Sequence, residues 1–320
     1  NVTPQLTPAQ LVGYDGGALA VAVGADHGAL VNDSGRVYTW GVGSFGQLGH
    51  GDCADEGRPV LPVDALADVS VAAVACGWSF TVALADDGSV YTWGAGGSGQ
   101  LGHADVVRLL TPSRLRALDG VHIMKVACGE SHAAAIDNSG LAYVWGSGDY
   151  GQLGLGTTQS AKSPSLLFVE DDGSNTYARA KPGTRGYYVP LQDIACGKQH
   201  SAAVSVSGDA YTWGSGRTGR LGTGSSQDAL VPALVKGLHR SGALCRSVSC
   251  GTRHTAVLAA DGGVFMWGLV DLGGGLAGKQ QWPQPQNVPL PSPDDLAVQV
   301  ACGGNRTYAL LETGDTVVWG

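Results

Sequence analysis

Residues 71–102 read VAAVACGWSFTVALADDGSVYTWGAGGSGQLG. Short apolar segments rich in Val, Thr, Tyr and Trp alternate with glycines in this stretch. Segments of this length and composition are typical of β-strands rather than helices. The turn Asp86-Asp-Gly88 supplies a glycine where a tight hairpin needs a residue that accepts positive φ. The stretch therefore predicts three consecutive antiparallel strands, followed by a turn that contains the motif Gly-Gln-Leu-Gly.

The same pattern occurs six times in the chain of 320 residues. Each copy has a core glycine, and these are Gly24, Gly77, Gly129, Gly197, Gly251 and Gly303. Each copy ends seventeen residues later in a Trp-Gly pair, whose tryptophans are Trp40, Trp93, Trp145, Trp213, Trp267 and Trp319. Successive core glycines are 52 to 54 residues apart, except for one step of 68 residues between Gly129 and Gly197. A constant unit with one lengthened connection indicates that each copy is a single supersecondary element of a repeat architecture.

A fourth strand is predicted in each of the first four copies, near a proline. These prolines are Pro62, Pro112, Pro164 and Pro232. Proline is tolerated on an edge strand, where one missing N–H does not break the sheet. Four short antiparallel strands in about fifty residues describe one blade of a β-propeller. We therefore expect an all-β propeller that forms a single domain over residues 1–320, because a repeat ring grows by adding units.

The motifs of these copies resemble a known repeat. The segments Val74-Ala-Cys-Gly77, Val90-Tyr-Thr-Trp-Gly94 and Gly99-Gln-Leu-Gly102 are similar to the repeat of the regulator of chromosome condensation family. The resemblance extends over nearly all of the chain, from about Thr7 to Gly320. It implies a propeller, which in that family usually has seven blades, whereas six copies are visible in this sequence.

Two ways of completing the ring are open. Thr7-Pro8-Ala-Gln-Leu11 is spaced like the fourth-strand segment Thr111-Pro112-Ser-Arg-Leu115, and the sequence ends with a third strand at Gly320. An N-terminal fourth strand that pairs with the C-terminal three strands would close a six-bladed ring and remove two open sheet edges. A seven-bladed ring with one blade outside this sequence is the alternative.

Composition excludes some classes of function. The formal net charge is −8 with 14% charged residues, which makes nucleic-acid binding an improbable main role, because such proteins usually display a basic face. No run of eighteen apolar residues predicts a membrane span. Five of the seven cysteines share one repeat position, at Cys76, Cys128, Cys196, Cys250 and Cys302. No Cys-x-x-Cys spacing suggests zinc, and buried unpaired thiols are typical of a reducing intracellular compartment.

Apparent catalytic and cofactor motifs have structural explanations. Gly-x-Gly-x-x-Gly occurs in four copies, but none of these stretches opens a helix, which a dinucleotide site requires. One repeat position carries His27, His132, His200 and His254. Because these histidines belong to separate blades, we expect structural hydrogen bonding rather than metal binding. No nucleophile–base or paired-carboxylate set stands apart from the repeat. We therefore predict a protein that is not an enzyme and has no cofactor and no metal.

Positions where the copies disagree are the candidates for recognition. The turn after each core glycine varies, and in a propeller these turns gather around the axis on one face. The candidate partner-binding residues in these turns are Trp78, Glu130, Lys198, Gln199, Arg253 and Asn305. An aromatic residue such as Trp78 has the composition of an interface hot spot, although packing against a neighbouring turn is an equal alternative.

The lengthened connection is a second candidate. It covers residues 169–188 and contributes Arg179, Lys181, Arg185 and Tyr187 as candidate binding residues. It is too short to be a lost blade. We interpret it either as a solvated loop or as a protrusion that grips a partner.

Two functional hypotheses follow, together with a weaker third. The first is a non-catalytic scaffold or adaptor that binds other proteins within a larger intracellular assembly, in the cytoplasm or at the cytoskeleton or cilium. The resemblance also implies the alternative of nucleotide exchange on a Ran-like small GTPase, with residues 169–188 as the wedge and the nucleus as the location. The ultraviolet-B photoreceptor branch of the family would need clustered Gly-Trp-Arg-His-Thr repeats, and Gly77-Trp-Ser-Phe-Thr81 is a partial match that lacks the arginine and the histidine.

Overall fold

The chain folds as a β-propeller of six blades. A computed structural model describes residues 14–59, 62–171, 179–180, 187–272 and 278–320. Within each blade, antiparallel strands follow one another outward from the axis in chain order. The six predicted copies therefore correspond one to one with six blades, and the all-β prediction is confirmed.

The first three blades are built as follows. Blade 1 comprises β1 (Ala18–Val23), β2 (His27–Asn32) and β3 (Val37–Gly41). Blade 2 comprises β4 (Val71–Cys76), β5 (Phe80–Ala85), β6 (Val90–Ala95) and β7 (Arg108–Arg114). Blade 3 comprises β8 (Ile123–Cys128), β9 (His132–Asp137), β10 (Ala142–Gly146) and β11 (Ala161–Leu167). Single-turn 3₁₀ helices precede blades 2 and 3 at Asp64–Leu66 and Arg116–Leu118.

An inserted three-stranded sheet separates blades 3 and 4. Its strands are β12 (Glu170–Asp171), β13 (Arg179–Ala180) and β14 (Tyr187–Tyr188), with β14 in the middle. The insertion is anchored at its base, because the Val189 N–H donates to the Val169 carbonyl at 2.9 Å and both side chains are buried in the blade 3–blade 4 core. The lengthened connection therefore contains strands.

The last three blades follow the insertion. Blade 4 comprises β15 (Leu191–Cys196), β16 (His200–Ser205), β17 (Ala210–Gly214) and β18 (Ala229–Leu234). A 3₁₀ turn (Arg217–Gly219) lies between β17 and β18, and helix α1 (Lys236–Ser241) follows β18. Blade 5 comprises β19 (Cys245–Cys250), β20 (His254–Ala259), β21 (Val264–Asp271) and β22 (Lys279–Val288). Blade 6 comprises β23 (Ala297–Gly303), β24 (Arg306–Leu311) and β25 (Thr316–Trp319).

The fourth strands lie where the prolines predicted them. Pro112, Pro164 and Pro232 lie within β7, β11 and β18, each at the outer edge of its blade. In blade 1 the corresponding segment makes isolated antiparallel bridges from Pro62 to Tyr38 and from Glu56 to Gly41. The edge position explains why a residue without an N–H is acceptable there.

Apolar packing between neighbouring blades forms the core. The second strand of each of the first five blades is buried along its whole length. The innermost strand of each of blades 2 to 6 packs against the two inner strands of the blade before it. The tryptophans of the Trp-Gly pairs in blades 2 to 5 are fully buried between blades, at Trp93, Trp145, Trp213 and Trp267. Each such ring supplies a large apolar area to one interface.

The inner edge of blade 1 differs from that of the other blades. Val21 is 63% exposed, whereas Val248, at the same repeat position in blade 5, is 7% exposed. Leu19 and Val23 are exposed on the same strand. Among the described residues no hydrogen bond joins blade 6 to blade 1. The predicted closure by Thr7–Leu11 falls on residues outside the described ranges.

Strand direction separates two faces of the propeller. The first strand of each blade ends at its core glycine, and the third strand ends opposite the start of the second, as in the pairing of Gly146 with His132. The core-glycine turns and the turns after Trp-Gly therefore share one end of the blades, which we call the core-glycine face. The insertion leads into β15, which begins beside the hairpin turn of blade 3, where the Leu191 N–H donates to Gly140. The insertion therefore lies at the opposite face.

Candidate protein-interaction face

A funnel of about 870 Å³ opens around the axis. All six blades contribute to its wall, chiefly through their core glycines and the residues that flank them. Side-chain-free glycines let the backbones of neighbouring blades approach closely. A Cβ on Gly129 would lie 2.4 Å from the Gly197 carbonyl oxygen of the next blade. The core glycines thus allow neighbouring blades to pack closely, and the variable turns that follow them lie at the rim of the funnel.

Backbone hydrogen bonds link the variable turns from blade to blade. The Trp78 N–H donates to the Glu130 carbonyl at 3.2 Å, and the Glu130 N–H donates to the Gly197 carbonyl at 3.3 Å. In blades 5 and 6 the Thr252 N–H donates to Gly304 at 2.7 Å. These bonds fix the spacing of the turns, so the side chains that project from them form a preorganised surface.

Trp78, Glu130 and Lys198 form one cluster, although they belong to three blades. The Lys198 ammonium lies 3.2 Å from a Glu130 carboxylate oxygen and 5.1 Å from the centroid of the Trp78 ring. Trp78 is nevertheless 49% exposed. An ammonium over an indole face contributes about 0.5–1 kcal/mol at an exposed site. The cluster therefore presents an oriented aromatic ring beside an ion pair that is partly open to solvent.

The other three turn candidates lie apart from this cluster. Gln199 is half-buried, whereas Arg253 and Asn305 are exposed on blades 5 and 6. The Arg253 carbonyl accepts a hydrogen bond from the Thr218 hydroxyl of blade 4 at 3.3 Å. The structure thus joins half of the predicted turn residues into one cluster and distributes the rest around the core-glycine face.

The insertion candidates lie at the other end of the blades. In the backbone, Arg179 pairs with Tyr188, and Tyr187 pairs with Asp171 and Ala180. Lys181 and Arg185 fall outside the described residues. The turn candidates and the insertion therefore belong to different faces and do not form one site.

The repeated histidines make contacts between blades. Nε2 of His27, His132, His200 and His254 lies 2.8–2.9 Å from a Thr or Ser hydroxyl of the next blade. In the His132 pair, the Ser201 hydroxyl donates its proton to the Gln152 carbonyl at 2.8 Å, so Nε2 must be the donor to Ser201. Burial lowers the pKa of His132 to about 4, which leaves a neutral imidazole whose Nδ1 lone pair has no hydrogen-bond partner among the described residues.

One blade junction replaces this polar pair with an apolar one. Blade 2 carries Phe80 in place of the histidine, and blade 3 carries Ala133 in place of the hydroxyl residue. Both are fully buried in the same apolar cluster. The substitution is matched on both sides of the junction, which is the behaviour of a packing position rather than of an acid–base site.

The repeated tryptophans and thiols also connect neighbouring blades. The indole N–H of Trp145 donates to the Gln100 carbonyl of the preceding blade at 2.9 Å, and the corresponding bonds occur at Trp93, Trp213 and Trp267. The Cys128 thiol donates to the Ala75 carbonyl at 3.6 Å. Burial raises the pKa of the Cys128 thiol well above its usual value. The Cys128 thiol is thus a protonated donor in a packed junction.

No metal centre or membrane helix is found in the described part of the chain. Histidines, cysteines and carboxylates nowhere gather there in a group of three or more able to hold a metal ion. Among the same residues, none of the helices has the length and apolar character that crossing a bilayer requires.

Sequence reasoning missed a basic cluster on the core-glycine face. Arg217 and Arg220 follow the Trp-Gly pair of blade 4 and lie beside Arg253 of blade 5. The available signal was the fourth Gly-Gln-Leu-Gly motif, in which Arg220 replaces the glutamine. The juxtaposition with blade 5 is a property of the fold and could not be read from spacing.

Comparisons with known proteins agree with this architecture. A family model described as RCC1-like domain matches residues 1–320. The ultraviolet-B receptor UVR8 of Arabidopsis thaliana is 36% identical over 98% of this chain and 68% of its own length. The human ubiquitin ligase HERC2 is 36% identical over 73% of this chain but only 4% of its own length. The chain thus spans about two thirds of the plant receptor and a small part of the ligase.

Solved structures show the same fold. The crystal structure of human WBSCR16 matches with a TM-score of 0.81 and 27% identity, covering 99% of this chain and 79% of that protein. Prp20p of Saccharomyces cerevisiae matches with a TM-score of 0.72 and 22% identity, covering 94% of this chain and 71% of that protein. The six repeats, the interlocked blades and the match over all 320 residues together show that the chain belongs to the RCC1-like domain family.

Proposed function

We propose that this chain is a non-catalytic protein-interaction propeller that docks a partner protein through the core-glycine face. The half-exposed Trp78 ring at the rim of the funnel carries the proposal. Its backbone is fixed by the bond to Glu130 and its ring is oriented by Lys198. A preorganised aromatic side chain loses little conformational entropy on binding, which is the property of an interface hot spot.

The charged neighbours of Trp78 would set specificity. Glu130 and Lys198 form an ion pair that is partly open to solvent, so a partner can compete for either charge. Gln199, Arg253 and Asn305 extend the polar surface around the funnel. An aromatic centre with a polar surround is the usual anatomy of a protein–protein interface.

Affinity capture with matched variants tests this proposal. The propeller, its Trp78→Ala variant and its Met124→Ala variant are immobilised and incubated with native lysate, and the retained proteins are quantified by mass spectrometry. Met124 is the matched control, because it is 59% exposed at the opposite face. We expect partners whose retention falls about tenfold or more in Trp78→Ala and is unchanged in Met124→Ala. Equal retention by all three proteins would contradict the proposal.

The ultraviolet-B receptor's kind of light sensing is not part of the proposal. The position of Trp78 is occupied by Ala25, Glu130, Lys198, Thr252 and Gly304 in the other five blades. A single tryptophan at the rim has no partner of its own kind there. The buried tryptophans of the Trp-Gly pairs occupy packing positions between blades.

Nucleotide exchange on a Ran-like GTPase is the alternative function. The strand-containing insertion, with Arg179 and Tyr187 in its paired strands, supports a protruding element that could engage a GTPase. Release of labelled GDP from a Ran-like GTPase, with and without the propeller, tests this function. Acceleration that is lost on deletion of residues 172–186 would favour exchange over the scaffold role. An unchanged release rate would remove the alternative.

The intracellular location is likewise a proposal. All seven cysteines are free thiols, and six of them are buried or half-buried. Unpaired cysteines in this number are typical of reducing compartments.

A further inference from the structure

The turns of blades 4 and 5 that share the core-glycine face contain three arginines at positions that do not repeat. Arg217 and Arg220 belong to the turn after the Trp-Gly pair of blade 4, and Arg253 to the core-glycine turn of blade 5. The Arg220 guanidinium donates to the Thr252 carbonyl at 3.2 Å, which places it at the base of the Arg253 turn. We call Arg217, Arg220 and Arg253 the basic cluster.

Within the described residues, no carboxylate lies at ion-pair distance from the cluster. Arg220 is only 5% exposed, yet its donors reach two backbone carbonyls, those of Arg217 and Thr252, and no carboxylate. Among the described residues none of the three arginines forms an ion pair. Burial and the charges of the other two arginines lower the pKa of Arg220 overall, and the Asp228 carboxylate raises that pKa from a longer distance. The Asp228 carboxylate also accepts a hydrogen bond from the Gly216 N–H at 2.8 Å. A largely buried cation beside two like charges is an unfavourable arrangement that an external anion would relieve.

In blade 3, the serine that follows the Trp-Gly pair is hydrogen-bonded on both sides. There the Ser147 hydroxyl donates to the Asp149 carboxylate at 3.0 Å and accepts from the Gln152 amide at 2.9 Å. The corresponding residues of blade 4 are Ser215, Arg217 and Arg220. The carboxylate and the amide are thus both replaced by cations.

Two local consequences mark the replacement. The Ser215 hydroxyl is fully buried, and within the described part of the chain it has no hydrogen-bond partner. Arg220 cannot accept the backbone N–H that Gln152 accepts from Tyr150 at 2.8 Å. The backbone at Thr218 adopts φ of 62° instead, a conformation that is costly for a β-branched residue. Blade 4 thus retains the serine of the blade 3 arrangement and carries Arg217 where blade 3 has Asp149.

We propose that the basic cluster binds an acidic peptide segment of a partner protein, whose carboxylates pair with the guanidinium groups. The exposed Arg217 and Arg253 make the first contacts, and the preorganised Arg220 fixes one carboxylate between the two turns. The Ser215 hydroxyl is buried beneath the surface of the blade, so the contacts with the peptide belong to the guanidinium groups. Guanidinium groups bind carboxylates with two parallel hydrogen bonds, which gives direction as well as charge.

The overall charge favours a peptide over a nucleic acid. With a formal net charge of −8, the chain repels a long polyanion, whereas a short acidic segment can reach the cluster alone. Arg217 also lies 5.9 Å from the Tyr150 ring centroid, which holds one cation at the edge of blade 3. This inference rests on the interaction role proposed above and specifies the chemistry of the partner.

Fluorescence anisotropy with a fluorescein-labelled glutamate-rich peptide tests the inference, with the glutamine version of the peptide as its control. Arg220→Gln is the decisive variant, because glutamine is the natural residue at this position in blades 1 to 3 and the fold tolerates it there. We expect the glutamate peptide to bind in a saturable, salt-sensitive manner, and Arg220→Gln to weaken it about tenfold. Arg217→Gln with Arg253→Gln should weaken it further.

Arg246→Gln is the matched control for charge, since Arg246 is exposed at the opposite end of blade 5. It should leave affinity unchanged. Equal binding of the two peptides, an equal loss in Arg246→Gln, or tighter binding of single-stranded DNA than of the glutamate peptide would each overturn the inference. Partner capture that depends on Trp78 while the glutamate peptide fails to bind would overturn the basic-cluster assignment alone and leave the proposed function standing.

Discussion

The histidine contacts between blades predict that stability falls steeply between pH 7 and pH 5. Burial lowers the pKa of His27, His132 and His254 to about 4, from an ordinary value of 6.5. Between these two values the unfolded chain binds more protons than the folded chain. Stability therefore decreases as the pH falls through this window and is independent of these groups above it.

The size of the effect follows from the shift. Each histidine whose pKa drops from 6.5 to about 4 on folding lowers the free energy of unfolding by about 2 kcal/mol when the pH falls from 7 to 5. Denaturant unfolding of the wild-type propeller at the two pH values measures the total, which also contains the titration of carboxylates. A variant that removes one histidine isolates the contribution of a single contact.

The natural Phe80–Ala133 junction supplies the design of that variant. His132→Phe combined with Ser201→Ala copies the apolar pair into the junction of blades 3 and 4, where His132 and Ser201 are 2.8 Å apart. We expect the double variant to lie within about 1 kcal/mol of wild type at pH 7, because the pair exchanges one matched contact for another. At pH 5 it should lose about 2 kcal/mol less than wild type does.

The single variant Ser201→Ala is the control for this prediction. Ser201→Ala alone leaves the buried His132 N–H without an acceptor and should cost about 2 kcal/mol at pH 7. If the double variant shows the same loss from pH 7 to pH 5 as wild type, the assignment of a neutral, buried imidazole to His132 is wrong.

Three further predictions concern the backbone and the buried groups. Gly146→Ala should lower the free energy of unfolding by about 3 kcal/mol or more in chemical denaturation, since the φ of Gly146 is 102° and a Cβ there would lie 2.5 Å from the Ser131 carbonyl oxygen. The control Gly120→Ala should lower it by only about 1 kcal/mol, because Gly120 has a positive φ but open space around it. Trp145→Phe removes the indole hydrogen bond to the preceding blade and should lower the unfolding free energy by about 3 kcal/mol; a loss below 1 kcal/mol would show that the bond contributes little. A thiol reagent should modify the exposed Cys53 first and the other six thiols more slowly, because burial raises the pKa of each of those six. Peptide mapping that finds a second thiol modified as fast as Cys53 would contradict this order.

Much of the blade architecture was predictable because the repeat encodes it locally. The glycine at Gly88 has a φ of 83°, as its place in a hairpin turn required. Pro112 lies in an edge strand as expected. The strand-containing insertion was less predictable, since its paired segments are two residues long and carry no periodic signal.

The candidate site was predicted only in part. Variation among the core-glycine turns singled out Trp78, Glu130 and Lys198, but their contact depends on the angle between blades 2, 3 and 4. The basic cluster was missed for the same reason, because Arg220 and Arg253 are 33 residues apart in the chain and meet only across a blade junction. Sequence spacing carries no information on such distances.

The repeat alone determined that this chain would form antiparallel blades, because glycine at positive φ, β-branched strands and edge prolines act within a few residues of each other. The tertiary structure decided which variable side chains share a surface. That surface depends on how successive blades pack, through contacts such as those of His132 and Trp145 with neighbouring blades. Blade packing brings residues some fifty positions apart into contact, and this long-range geometry places the Trp78 cluster and the basic cluster on one face.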